Sequence, residues 1–138
     1  KLRNRSDLAP TTRRALVDAR LGQGGFRKAV LGAWGGACAA TGCALPALLR
    51  ASHIQPWRDA NDEERLDPEN GLPLTANLDA LFDRGLISFA DDGILMVSGA
   101  LPVALREELN LPTKLRREPS SRQRLYLSRH RRQHFPGD

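Results

Sequence analysis

The feature that most constrains this chain is a change of hydrophobic period between residues 48 and 85. Residues 48–54 are largely apolar and predict a strand, and Asn70-Gly71 is a strong turn signal before the short run 72–74. Apolar residues then recur at 78, 81 and 82, which is the spacing of one helix face. The order of strand, loop, turn, short strand and helix predicts a small ββα unit.

Helices and one hairpin are predicted on both sides of this unit. A helix from Thr11 or Thr12 to about Arg20 is expected to break at the glycines of 22–25, before a second helix over 26–34. Later segments predict a β-hairpin (86–89 with 94–97), a short helix (102–109) and a basic helix (121–133). The fold class is therefore α+β, with the apolar stripe of Phe26, Val30 and Trp34 in the core.

Length and composition favour one domain. The chain has 138 residues, and no apolar run approaches the roughly 18 residues that a membrane span needs. We expect no membrane association, and because nothing resembles a secretory signal we expect a cytoplasmic location. Two cysteines, Cys38 and Cys43, are too few for a disulfide framework and do not favour a structural zinc, although a site shared with a histidine stays open.

Charge is distributed unevenly. Residues 1–28 carry eight Lys/Arg against two acids, residues 29–112 carry five against twelve, and residues 113–138 carry eight against two. Basic ends and an acidic middle suit a protein whose ends neutralise phosphates while its centre holds a divalent cation. Solvated helix faces and tails would give the same pattern, so charge alone decides nothing.

Three separated motifs make the pattern specific. They are Ala51-Ser-His-Ile-x-Pro-Trp57, Asn70-Gly-Leu-x-Leu74 and Asn77-Leu-Asp-x-Leu-Phe-Asp-x-Gly-Leu-Ile-Ser-Phe89. Together they resemble the HNH endonucleases of the ββα-metal superfamily, as in restriction-type HNH domains. The likeness covers roughly 23–98 and extends more loosely to Leu127-x-x-His130-Arg131. It implies a ββα-metal core with flanking helices and a small β-hairpin.

The resemblance assigns roles that the residue types can perform. His53 becomes the general base that activates water, because a neutral imidazole can take a proton near pH 7. Without the later motifs, a structural histidine would be the better interpretation. Asn70 becomes the side chain that orders the loop so that His53 faces the helix. Its effect is expected on geometry and not on proton transfer.

Asp79 and Asp83 are the candidate metal ligands. Four residues apart on a helix, they leave the same face and could share a hard cation, although an exposed acidic face would look the same. Asp79 stands where the family usually has its second histidine, and Ser52 stands where some relatives have another ligand. An all-oxygen shell favours Mg²⁺ or Mn²⁺.

Basic and aromatic residues near the motifs and in the last helix are expected to contact nucleic acid, with no sequence reading of their own. These are Arg50, Trp57, Arg58, Arg84, Arg129, Arg131 and Arg132.

The resulting prediction is a metal-dependent DNA endonuclease, the cleavage domain of a restriction or defence protein. A basic lead-in helix is expected over 1–22, the nuclease domain over 23–112 and a basic helix over 113–138. An upstream recognition domain and a homodimer stay open. The alternatives are a non-catalytic nucleic-acid-binding module on a degenerate HNH frame and a toxin-type nuclease effector.

Overall fold

The computed structural model describes residues 10–135, with side chains from residue 22 onward. Within that range the fold is α+β, as predicted, with five α-helices and two small antiparallel sheets. The helices are α1 (Pro10–Ala33), α2 (Asp62–Leu66), α3 (Ala76–Asp83), α4 (Val103–Leu109) and α5 (Ser121–Gln133). The strands are β1 (Leu49–His53), β2 (Gly71–Thr75), β3 (Ile87–Phe89) and β4 (Leu95–Val97). The part of the predicted lead-in helix before residue 10 lies outside the described residues.

The predicted ββα unit is present as β1, β2 and α3. Strands β1 and β2 pair antiparallel, with Ser52 opposite Leu72 and His53 opposite Gly71. The 17 residues between the two strands fold into two 3₁₀ turns and the helix α2, where the sequence predicted an irregular loop. Asn61 begins α2 with a capping box, in which its side chain accepts from the Glu64 amide and Glu64 accepts in return. The loop between β1 and β2 therefore contains a 3₁₀ turn on each side of α2.

Helix α1 corrects the prediction of a break at Gly22, Gly24 and Gly25, because one continuous helix runs from Pro10 to Ala33. Each helical glycine costs about 1 kcal/mol relative to alanine. The apolar stripe offsets this cost, since Phe26 and Val30 are 3% and 1% exposed. Packing against the β1–β2 hairpin thus overrides the local preference of the glycines.

One core joins the ββα unit to β3 and α5. It contains residues from all these elements, among them Leu49, Leu72, Leu78, Phe82, Phe89 and Leu127, each 1% exposed or less. Helix α5 begins at the predicted residue because Ser120 forms a capping box with Gln123. Among the residues described, no helix has the length and apolar character needed to cross a membrane.

Candidate active site

His53 lies at the end of β1 with its ring between two aromatic side chains. The Phe26 ring stacks on it with centroids 4.0 Å apart and planes 2° from parallel. The Trp57 ring approaches edge-on at 5.8 Å. The His53 Nε2–H donates to the main-chain carbonyl of Arg65 at 2.8 Å. Since a carbonyl can only accept, the proton of the neutral ring is on Nε2, and Nδ1 is left as the nitrogen that can take a proton.

The pKa of His53 lies below its ordinary value of 6.5. Burial is the largest cause, because it penalises the charged imidazolium. The hydrogen bond to the Arg65 carbonyl raises the pKa, and the positive charge of the Arg65 guanidinium lowers it. The ring is therefore neutral at pH 7 and ready to accept a proton.

Asn70 is fully buried and bonds to two segments of the loop after β1. Its Oδ1 accepts from the Gln55 amide at 2.8 Å, and its Nδ2 donates to the carbonyls of Gln55 (3.3 Å) and Glu64 (3.0 Å). The Glu64 carbonyl directly precedes the Arg65 carbonyl that holds His53. These contacts support the predicted loop-ordering role, which stays a proposal.

Gly71 lets α1 approach the strand pair closely. A Cβ atom on Gly71 would lie 2.5 Å from a Val30 methyl and 2.7 Å from the Phe26 ring. Gly71 is also the cross-strand partner of His53. The absence of a side chain at Gly71 thus allows Phe26 to reach the imidazole, a contact that the sequence did not predict.

Asp79 and Asp83 both lie on α3, Asp79 half-buried and Asp83 exposed. Among the side chains of residues 22–135, no group of three or more His, Cys, Asp or Glu is placed to hold a metal ion. That arrangement does not suit an ion that needs a full set of protein ligands. Two carboxylates fit Mg²⁺, which commonly keeps several waters and binds through one or two carboxylates and substrate phosphates.

The two cysteines lie in the loop before β1 and are both free. Cys38 is buried, and its amide donates to the Cys43 carbonyl at 2.8 Å. The pKa of the Cys38 thiol is lowered overall: burial is the largest contribution and raises it, but hydrogen bonds, chiefly from Thr41, outweigh burial. The described residues provide no zinc-type ligand group around these thiols.

The residues predicted to contact nucleic acid fall into two sets. Exposed side chains form the first: Arg50, Trp57, Arg58, Arg84 and Arg132. Arg129 and Arg131 form the second, because their guanidinium groups bond within the protein. Arg131 donates to the Phe89 carbonyl at 2.7 Å and pairs with Asp91 at 2.8 Å. The side chains of the first set are open to a phosphate, although Arg50 also donates to the Leu49 carbonyl at 3.3 Å, whereas the guanidinium groups of the second set are held by partners within the protein.

Two further arginines of the basic C-terminal segment have structural partners. Arg116 donates to the main-chain carbonyls of Cys38 (2.8 Å) and Trp34 (3.0 Å), and Arg117 donates to the Ala33 carbonyl. Both guanidinium groups lie over the Trp34 ring. They bind carbonyls at and just beyond the C-terminal end of α1, where positive charge is favourable. This structural use of the basic segment was not predicted.

Comparison with known proteins finds a similar family. A family model described as HNH endonuclease matches residues 38–90. The matched segment contains β1, β2, α3 and β3, and with them His53, Asn70, Asp79 and Asp83. No curated protein matches the chain. Residues 38–90 therefore match the HNH endonuclease family.

Proposed function

We propose that this protein is a metal-dependent endonuclease that hydrolyses DNA phosphodiester bonds, with His53 as general base. The carrying observation is the hydrogen bond from His53 Nε2 to the Arg65 carbonyl, which leaves Nδ1 available to a water. In the reaction, Nδ1 removes a proton from water as its oxygen attacks phosphorus. The 3′ oxygen then departs and the product carries a 5′-phosphate. A positioned base of this kind contributes about 100- to 10,000-fold in rate.

HNH nucleases generally use a divalent metal ion, and we propose Mg²⁺ or Mn²⁺ here. Asp79 and Asp83 would hold it, and it would supply charge neutralisation at the scissile phosphate. The carboxylate pair favours these hard ions over zinc or nickel. Because the protein offers so few ligands, we expect the affinity for metal to rise when DNA is bound.

The DNA substrate is proposed to lie across the end of β1 where His53 stands. Trp57 and Arg58 lie in the 3₁₀ turn that follows this strand, and Trp57 is 39% exposed while its ring also touches His53. Arg50 and Arg84 add exposed positive charge, and Arg132 does so on α5. Contacts of this kind bind phosphates without selecting a base sequence.

Cleavage of supercoiled plasmid across metal ions tests the proposal. Nicking is expected with Mg²⁺ or Mn²⁺, and it should stop when a chelator is added. Asp79→Asn should lower the rate at limiting metal, and Glu108→Gln, which removes an exposed carboxylate from α4, serves as the matched control. Nicking that persists in excess chelator would contradict the metal requirement.

A non-catalytic DNA-binding module is the second candidate. Two observations favour it: Asp79 stands in place of the family's histidine, and the described part of the chain offers no group of three metal-ligating side chains. Such a module would bind DNA and leave plasmid intact with every metal ion. A toxin-type effector stays a third candidate, which a neighbouring immunity protein would support.

The cellular setting is proposed by analogy alone. We propose a cytoplasmic cleavage domain of a restriction or defence protein, in which a separate upstream domain recognises the target. A homodimer would cut both strands, and a monomer would nick one.

A further inference from the structure

Arg129 on α5 bonds to the loop that follows β1. Its Nη1 donates to Gln55 Oε1 at 2.9 Å and to Glu64 Oε2 at 2.6 Å. The Arg129 and Glu64 side chains are only 30% and 19% exposed. The pKa of Glu64 is lowered, first by the hydrogen bond from the Asn61 amide and then by Arg129, so the carboxylate is ionised. The positive charge of Arg129 is thus paired with a carboxylate of the same protein.

The two partners of Arg129 lie on opposite sides of the loop. Gln55 is the second residue after β1, and Glu64 lies in α2, nine residues later. Asn70 joins the same two residues through their main chains, donating to the carbonyl of each. Gln55 and Glu64 are therefore linked twice. Asn70 bonds to their main-chain carbonyls, and Arg129 bonds to their side chains.

The next carbonyl after that of Glu64 belongs to Arg65, and it accepts the His53 Nε2–H at 2.8 Å. Any shift of the Glu64 backbone displaces this acceptor. A weaker acceptor at Nε2 would let the ring turn or let its proton move to Nδ1, the nitrogen that must be free to accept the water proton.

We propose that Arg129 is a positioning residue for His53, acting through Glu64 on the Arg65 carbonyl that orients the imidazole. The inference rests on the proposed role of His53 as base. It gives α5, which lies outside the segment matched by the family model, a part in the reaction. It also replaces the expectation that Arg129 contacts DNA phosphate.

The two roles of Arg129 predict different kinetics. A positioning role predicts that Arg129→Gln lowers the single-turnover rate at saturating DNA by about 10- to 100-fold, as loss of a supporting hydrogen bond does at comparable sites. Its Kd for DNA should stay within about twofold, with an unchanged salt dependence. A phosphate contact predicts the reverse: a normal rate at saturation, weaker binding and a salt slope reduced by about 1.

Arg132 provides the matched control because it is an exposed arginine on the same helix. Arg132→Gln is expected to weaken DNA binding and to reduce the salt slope by about 1. Glu64→Gln provides the second variant, since glutamine also serves at this position of a capping box. Glu64→Gln should lower the single-turnover rate as Arg129→Gln does. Because it removes an acidic charge, it should not weaken DNA binding, so weaker binding cannot be the cause of its lower rate. The Glu64 variant keeps the test decisive where Arg129→Gln does not fold.

A readout without catalysis separates this inference from the proposed function. ¹⁵N NMR of the His53 ring at neutral pH should show the Nε2–H tautomer in the wild type and a mixture in Arg129→Gln or Glu64→Gln. If the wild type does not cleave DNA but the variants still change the tautomer, the proposed function fails and the positioning role stands. An unchanged tautomer, together with an unchanged rate and a reduced salt slope in Arg129→Gln, would overturn the positioning role.

Discussion

Lowering the pH from 7 to 5 should destabilise the protein through His130, which attaches α5 to the rest of the fold. His130 is 1% exposed and stacks on Phe82 with ring centroids 3.9 Å apart. Its Nε2–H donates to the Phe82 carbonyl at 2.8 Å, and its Nδ1 accepts from the Ser88 hydroxyl at 2.8 Å. This arrangement belongs to the neutral ring: a protonated Nδ1 cannot accept, so the Ser88 hydroxyl would have to turn and become the acceptor, and the buried site would then hold a charge.

The pKa of His130 is lowered to about 4. Burial is the largest cause, and the nearby His134 and Arg131 lower it further. The hydrogen bond to the Phe82 carbonyl and the Asp83 carboxylate act in the opposite direction. The unfolded chain, with an ordinary histidine pKa near 6.5, therefore binds the proton first as the pH falls.

The size of the effect follows from this difference between the folded and unfolded pKa of His130. A difference of about 2.5 corresponds to about 3.4 kcal/mol in the free energy of unfolding. This contribution to the free energy of unfolding is fully present above pH 6.5 and is lost as the pH falls towards 4. At pH 5 the free energy of unfolding is lower than at high pH by about 2 kcal/mol.

Urea unfolding of the wild type and of His130→Gln at pH 7 and at pH 5 measures this loss. Glutamine does not titrate, so changes in all other groups cancel in the comparison. His130→Gln should be the less stable protein at pH 7, yet lose about 2 kcal/mol less than the wild type between pH 7 and 5. Equal losses in the two proteins would refute the assignment of a neutral buried ring to His130.

Three further predictions concern the site. The rate of cleavage should rise with pH through a midpoint below 6.5, because the pKa of His53 is lowered, and then stay level through neutral pH; a midpoint above 7 in the pH–rate profile would contradict this. Asp79→His should shift the metal preference of plasmid nicking towards softer ions such as Zn²⁺ and Ni²⁺. If the wild type is inactive and Asp79→His cleaves plasmid, the natural metal site is degenerate. Gly71→Ala should destabilise the fold by about 1–3 kcal/mol in thermal unfolding, since the new methyl would lie 2.5 Å from Val30, while Gly32→Ala in open space on α1 should be neutral or stabilising.

Local chemistry explains which elements the sequence predicts. Helix α5 has the predicted bounds, Ser121–Gln133, because a capping serine at Ser120 is followed three residues later by a glutamine. The hairpin of β3 and β4 follows from the turn at Asp91-Asp92-Gly93 between two apolar runs. Both signals lie within a few residues of the structure they specify.

Features that depend on distant contacts escaped prediction. The glycines of α1 indicate a break until the packing of Phe26 and Val30 against the strand pair is known. The ion pair of Arg129 with Glu64, 65 residues earlier, was not predicted either. Sequence periodicity carries no information about such pairs.

The candidate site likewise contains residues that the motifs predict and contacts that they do not. The motifs identified His53 and Asn70, but the group that orients the base is the main-chain carbonyl of Arg65, and a main-chain carbonyl has no sequence signature. Phe26 was predicted only as a core residue, yet its ring also stacks on the imidazole. The motif therefore identifies the candidate base, whereas the groups that contact it are seen only in the structure.

The central claim is that His53 is the base, and the single-turnover rate of plasmid nicking by His53→Ala tests it most directly. At saturating Mg²⁺ or Mn²⁺, the rate should fall by about 100- to 10,000-fold, with DNA affinity and the folded circular dichroism spectrum retained. Cleavage at the wild-type rate by this variant would show that His53 is not the base.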